Sequence, residues 1–156
     1  MFQQSMSFFE PKLERLKEFL KKRDINADIV YRFGKPPMMV LDLKPEHGQN
    51  RDTQISYLPT EEGEDPKNLL IYFITSFEIG EENLSLEKMY ILCDGINVKC
   101  AVGTLFVSPA DNKLYCRYAL TESGKPIEEE VFLMTVDMYL HSLSMICQTI
   151  DDILYT

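Results

Sequence analysis

Apolar residues recur along the chain with two different periods, and the changes between these periods divide it into helices and strands. Near the amino terminus, spacings of three and four predict an amphipathic helix over residues 8–22. The members of its apolar stripe are Phe9, Leu13, Leu16 and Leu20. Ser7 and Glu10 stand at the spacing of a capping box, so we expect the helix to begin beside them.

Alternating or continuous apolar runs then predict strands. These cover residues 25–33, 38–43, 54–58 and 68–79. The run from Leu69 to Ile74 is apolar without a break, which favours a strand at the middle of the sheet, covered on both faces. The segment 59–67 is acidic and interrupted by glycine and proline, so we expect a mobile connection there.

The second half of the chain predicts a helix, a hairpin and a final helix. The middle helix follows the acidic pair Glu81 and Glu82. Strands over 102–107 and 114–120 flank a turn rich in Ser, Pro, Asp and Asn, which favours an antiparallel hairpin. Pro126 is well placed to open a last helix that has three glutamates in its first turn and continues to about residue 154.

This order of elements predicts the fold class. Residues 1–156 should form a single α+β domain with an antiparallel sheet of five to six strands. An N-terminal helix, a middle helix and a long C-terminal helix complete it. No internal repeat is visible in the sequence.

The C-terminal helix has an apolar stripe three heptad positions wide, broader than a coiled-coil seam, and we expect most of it to pack on the sheet. Three methionines, Met134, Met138 and Met145, lie off this stripe on a flank that a monomer would expose. Because the flexible thioether adapts to differently shaped surfaces, these three are candidate partner-binding residues. A second copy or a client protein could cover them, or the first helix or the sheet edge could bury them.

Composition narrows the classes of partner. The chain has 156 residues, 45% of them apolar, enough for a core without metals or disulfides. Its net charge of −9 opposes binding to nucleic acid and to anionic membranes. No basic segment followed by a long apolar one stands at the start, and the cysteines lack a zinc-ligand spacing. We therefore expect a cytoplasmic protein whose cysteines, Cys93, Cys100, Cys116 and Cys147, are reduced and buried.

The motifs of common chemistry are missing from the sequence. His47 and His141 have no carboxylate or cysteine at the spacing of a triad or a metal site. The acidic run from Glu61 to Asp65 lacks the alternation of ligands and turns that binds calcium. Phosphate-binding loops, nucleophile elbows and zinc-protease motifs are also absent. We therefore expect no enzymatic activity, no cofactor and no metal site.

Residues 92–118 carry a family resemblance. Asn97 ends a helix, Gly103 precedes a strand, and Arg117 lies in the following strand, ahead of a long last helix. This succession resembles the YbjN-like proteins, bacterial sensory transduction regulators that are similar in fold to type III secretion chaperones. The resemblance implies an α+β fold, homodimers, and binding of a protein segment by sheet or helix surfaces. It implies no active site.

Each of these three residues also has a structural interpretation. Asn97 can cap a helix C-terminus, Gly103 can permit a close backbone approach, and Arg117 can pair on a sheet face. Arg117 is alternatively a contact to a partner, and we count it with the three methionines as a candidate binding residue.

The leading hypothesis is therefore a non-enzymatic module, chaperone-like or a regulatory adaptor, that binds a protein or peptide client and forms a homodimer. An open strand edge would offer β-augmentation, and the methionine flank would offer a groove for an apolar segment. An enzyme or small-ligand-binding domain is the first alternative, with a pocket built from residues distant in sequence. A purely structural homodimer subunit is the second.

Overall fold

The computed structural model describes residues 2–46, 51–60 and 66–155, with side chains from Phe8 onward. Three helices and six strands lie within these ranges. Their order is α1 (Phe2–Lys21), β1 (Ala27–Val30), β2 (Met38–Leu43), β3 (Arg51–Pro59), β4 (Asn68–Ser76), α2 (Leu86–Asn97), β5 (Thr104–Val107), β6 (Leu114–Ser123) and α3 (Glu129–Leu154). His47 and residues 61–65 lie outside the described residues.

The strands form one antiparallel sheet in the order β1-β2-β3-β4-β6-β5. This confirms the α+β fold class, and β4 lies inside the sheet as its apolar run predicted. Helix α1 packs on β1, β2, β3 and α3, while α2 packs beside β5. The predicted stripe of α1 is buried, as is most of the stripe of α3.

The prediction that both faces of β4 are covered is wrong. Phe73 is fully buried against Phe132 and Tyr139 of α3, with ring centroids 6.1 and 5.3 Å away. Its neighbours Tyr72 and Ile74 point to the opposite face, over which no described helix lies, and they are only half-buried. Side chains of adjacent strands also lower the exposure of a residue in a sheet. An apolar run in the sequence therefore does not reveal whether a helix or only neighbouring strands cover that face.

Two helix starts also differ from prediction. Helix α1 begins at Phe2, so the capping box that Ser7 and Glu10 predicted is wrong: both lie within the helix. In the sequence, Phe2 and Met6 continue the spacing of three and four, which explains the earlier start. Helix α3 begins at Glu129, three residues after the proline that was expected to open it.

Gly103 permits the close approach that its sequence position suggested. Its φ of +97° is one that L side chains rarely adopt, and a Cβ there would lie 2.9 Å from the Sγ of Cys116. The glycine therefore lets the segment before β5 lie directly against β6.

Candidate protein-binding site

An apolar groove runs along α3 and is made of two adjoining depressions, the first beside α2 and the second beside residues 99–102, which follow α2. One, of about 390 Å³, is lined by Ile91, Ile96, Met145 and Ile153, with Lys88 and Lys99 beside them. The other, of about 400 Å³, is lined by Val102, Met134, Met138 and Met145. Lys99 and Met145 belong to both. We call the two depressions together the methionine groove.

All three candidate methionines lie in this groove. Met134 and Met138 are 55% and 44% exposed, as their position off the apolar stripe of α3 predicted. Met145 is half-buried and packs against the core. Neither α1 nor a sheet edge covers the first two, so that alternative is wrong for Met134 and Met138. Whether a partner binds them stays a prediction.

Helix α2 forms the other wall of the first depression, and one of its groove-facing positions has no side chain. Ile91 of this helix is 64% exposed. Gly95 is exposed in the last turn of the helix, and a Cβ there would meet nothing within 4 Å. The groove is therefore open at Gly95, where the glycine also lowers the helix propensity of α2.

Arg117 lies on the other side of the molecule. It is exposed on the helix-free face of the sheet, with its guanidinium over the ring of Phe106 at 4.9 Å. Phe106 stacks on Tyr115 at 5.9 Å, and the Tyr115 hydroxyl donates to Asp111 at 2.5 Å. The structure therefore does not bring Arg117 together with the three methionines, and any contact it makes would belong to a second surface.

Asn97 has a role that differs from the predicted helix cap. Its amide nitrogen donates to the carbonyl of Leu105 at 2.9 Å, and the Leu105 N–H donates to its amide oxygen at 2.8 Å. The last residue of α2 thus hydrogen-bonds to the edge strand β5 as a neighbouring strand would. Addition of a client strand at this position would have to displace it, which leaves β1 as the edge for β-augmentation.

Sequence reasoning missed a buried carboxylate, Glu122, on the helix-facing side of β6. It is 4% exposed, and one oxygen accepts from Lys12 at 2.7 Å. The other accepts from the Tyr57 hydroxyl and the Ile127 N–H, both at 3.1 Å. Burial and the adjacent carboxylate raise the pKa of Tyr57. Because both oxygens are occupied by protein donors, we interpret Glu122 as the anchor of the turn into α3 rather than as a catalytic acid.

The cysteines are poor candidates for nucleophiles. Burial raises the pKa of Cys93 to about 11 and that of Cys116 to about 12, and burial also raises the pKa of Cys100 and Cys147. A thiol with a raised pKa is protonated at neutral pH, whereas the thiolate is the reactive form. Within the described ranges, no group of three or more His, Cys, Asp or Glu side chains could hold a metal ion.

The groove also differs from an enzyme pocket in its titratable groups. His141 is exposed beside the methionines, and Asp137 nearby forms a two-pronged ion pair with Arg23, Nε–Oδ1 3.0 Å and Nη2–Oδ2 3.0 Å. That pairing directs the carboxylate to the turn after α1 and away from a bound molecule. None of the helices in the described part of the chain has the length and apolar content required to span a bilayer.

No family model matches this sequence, and no curated protein does so either. Among solved structures, the chain is similar to YbjN from E. coli, whose crystal structure describes it as a candidate transcription regulator. The TM-score is 0.51 with 16% identity, and the match covers 86% of this chain and 87% of that one. At this identity the similarity shows the fold alone. The chain has a YbjN-like fold, as the succession of Asn97, Gly103 and Arg117 predicted.

Proposed function

We propose that this protein is a non-enzymatic protein-binding domain, chaperone-like or a regulatory adaptor, which holds a client segment in the methionine groove. The observation that carries the proposal is the continuity of the apolar groove along α3, with Met134, Met138 and Ile91 exposed on its walls. Contiguous exposed apolar residues are a common feature of surfaces that bind other proteins.

The length of the groove favours a polypeptide segment over a small molecule. Met134 and Ile153 mark its ends along α3, and helical geometry separates them by about 28 Å. A helix docked in such a groove places side chains at i, i+3, i+4 and i+7 against it. Small-molecule pockets enclose most of their ligand and orient it with a few convergent polar groups. Each depression alone has the volume of a small-molecule pocket, but both are open to solvent, and the lysines that line them, Lys88 and Lys99, are exposed.

The fold supports the same proposal. YbjN is described as a candidate transcription regulator, and this description agrees with a regulatory role. Homodimerisation, which the apolar excess of α3 and the family resemblance predicted, stays a prediction.

A photo-crosslinking amino acid at position 138 would test the proposal in native lysate. The same amino acid at position 58, where exposed Leu58 lies on the helix-free face, is the matched control. We expect one recurrent protein to crosslink at position 138 and not at position 58. The captured protein is then purified and its affinity for the unmodified chain measured by calorimetry.

Substitution of the methionines should then remove this affinity. Both Met134 and Met138 are exposed, so Met134→Glu/Met138→Glu should fold normally and weaken client binding about 30-fold, the loss typical of a hot spot. Leu58→Glu introduces the same kind of charge on the other face and should leave affinity unchanged. Loss of binding in Leu58→Glu or Arg117→Ala, with retention in the methionine variant, would move the site to the sheet face and contradict the proposal.

A further inference from the structure

The methionine groove carries a local charge opposite to that of the whole chain. Its lining includes two lysines, Lys88 and Lys99, although the chain as a whole has a net charge of −9. Neither ammonium group forms an ion pair with an acidic side chain in the residues that the structure describes. The lysines are therefore available to a charge outside the molecule.

The acidic group that lines the groove is already neutralised. Asp137 receives both prongs of the Arg23 guanidinium, at Nε–Oδ1 3.0 Å and Nη2–Oδ2 3.0 Å. Neither His141 nor the thiol of Cys100, which also line the groove, adds a negative charge at neutral pH. The free charge of the groove is thus positive.

The two lysines are spaced for recognition of a helix. They stand eleven positions apart in the sequence, one in the first turn of α2 and one just after its end. At the rise of a helix this separation is about 16 Å, or roughly three turns. Their aliphatic stems can lie on the apolar lining while the ammonium groups remain in water at the rim.

We propose that the segment held in the methionine groove is an acidic amphipathic helix. This inference rests on the proposed function and adds the chemistry of the client. The apolar face of the helix lies on Met134, Met138, Met145 and Ile91, and carboxylates about three turns apart at its border pair with Lys88 and Lys99.

The net charge of the protein makes a preference for acidic peptides a specific test of this proposal. A chain of charge −9 repels an acidic peptide at a distance and attracts a basic one. A preference for acidic peptides must therefore come from contacts in the groove. Exposed ion pairs contribute about 0.2–1 kcal/mol each, and replacing two attractive pairs by two repulsive ones gives about a tenfold difference in affinity.

A displayed peptide library tests the inference with the intact protein. The library consists of helices of about 18 residues, long enough to follow the groove at 1.5 Å per residue. Their apolar face is fixed as Leu, Ile and Met at i, i+3, i+4 and i+7, and the bordering positions are randomised among Glu, Gln and Lys. We expect selection against the unmodified chain to enrich Glu over Lys at two border positions ten to twelve residues apart.

Charge reversal of the protein provides the decisive comparison. Selection against Lys88→Glu/Lys99→Glu should enrich Lys at the same border positions, while Lys35→Glu/Lys125→Glu, remote from the groove, should leave the Glu preference intact. Single enriched peptides, measured by fluorescence anisotropy, should change affinity about tenfold between the two double variants.

The outcomes separate this inference from the proposed function. Enriched helices that depend on Met134 and Met138 but show no preference between Glu and Lys would overturn the acidic client and leave the groove as a binding site. Absence of any helix that loses binding in Met134→Glu/Met138→Glu would overturn both. Self-association that disappears in that methionine variant would identify a second copy as the occupant and would also contradict the acidic helix.

Discussion

The hydroxyl of Tyr139 connects the long C-terminal helix to the middle of the sheet. It donates to the carbonyl of Cys116 at 3.2 Å and lies 2.7 Å from the hydroxyl of Thr75. Thr75 in turn lies 2.7 Å from the hydroxyl of Thr53. These two hydroxyl–hydroxyl hydrogen bonds extend the connection from α3 across β4 to β3. This chain of buried bonds fixes the position of α3, and with it one wall of the methionine groove.

Removal of that hydroxyl should therefore destabilise the fold. We expect Tyr139→Phe to lower the free energy of unfolding by about 1–2 kcal/mol, because the buried Cys116 carbonyl and Thr75 hydroxyl each lose a partner. Tyr155→Phe is the matched control, since Tyr155 is 83% exposed, and it should have no effect in urea denaturation. Equal stability of the two variants would show that the hydroxyl chain contributes nothing.

Glu122 shows which properties of a single residue the sequence predicts and which it does not. The alternation along β6 places it in phase with the buried residues Leu114 and Cys116, so an inward-pointing carboxylate was predictable. Its partners were not predictable, because Lys12 and Tyr57 are 110 and 65 positions distant in sequence. Periodicity predicts which way a side chain points, whereas a hydrogen-bond network depends on how elements meet in space.

Among the elements, α2 contains a glycine where stability alone would favour alanine. Gly95→Ala should raise the free energy of unfolding by about 0.5–1 kcal/mol, because the new methyl meets nothing within 4 Å and restores helix propensity. Gly103→Ala is the opposite case, since its φ of +97° and the Sγ of Cys116 at 2.9 Å both oppose a Cβ. Thermal melts should therefore move upward for the first variant and downward for the second. A lower melting temperature for Gly95→Ala would refute the openness of the groove at that position.

The elements themselves were largely predictable, and the groove was not. The stripes of α1 and α3 follow from spacing, because a helix of 3.6 residues per turn converts sequence intervals into faces. The same reasoning correctly predicted that Met134 and Met138 are exposed. A groove, however, depends on the distance between α2 and α3 and on the absence of a side chain at Gly95. The sequence alone contains no measure of that distance.

For the molecule as a whole, buried thiols make stability sensitive to alkaline pH. The folded pKa of Cys116 is raised to about 12 by burial, whereas the unfolded thiol ionises near its ordinary value of about 8.5. Above that lower value the unfolded chain releases a proton that the folded chain retains, so stability is lost as pH rises. Below it, this contribution is fully present.

Urea denaturation at pH 7 to 11, with a reductant to prevent oxidation, checks this dependence. We expect the free energy of unfolding to fall above about pH 9, with about 1.4 kcal/mol per pH unit from Cys116 alone. Cys116→Ser should change the free energy of unfolding by a fixed amount near neutral pH. Above about pH 9 its free energy of unfolding should fall less steeply with pH than that of the unmodified protein, since serine does not ionise there. Identical slopes for the two proteins would contradict the role of this thiol.

The amide of Asn97 has a consequence for how copies of the molecule can meet. A sheet edge with free N–H and C=O groups is a template for strands of other molecules, and successive additions produce fibrils. At β5 the side chain of Asn97 already occupies both groups of Leu105, so the ladder of hydrogen bonds is terminated there by a side chain of its own chain. A filament built by strand addition would need a free edge strand on both sides of the sheet. In this molecule the side chain of Asn97 already occupies one of the two edges.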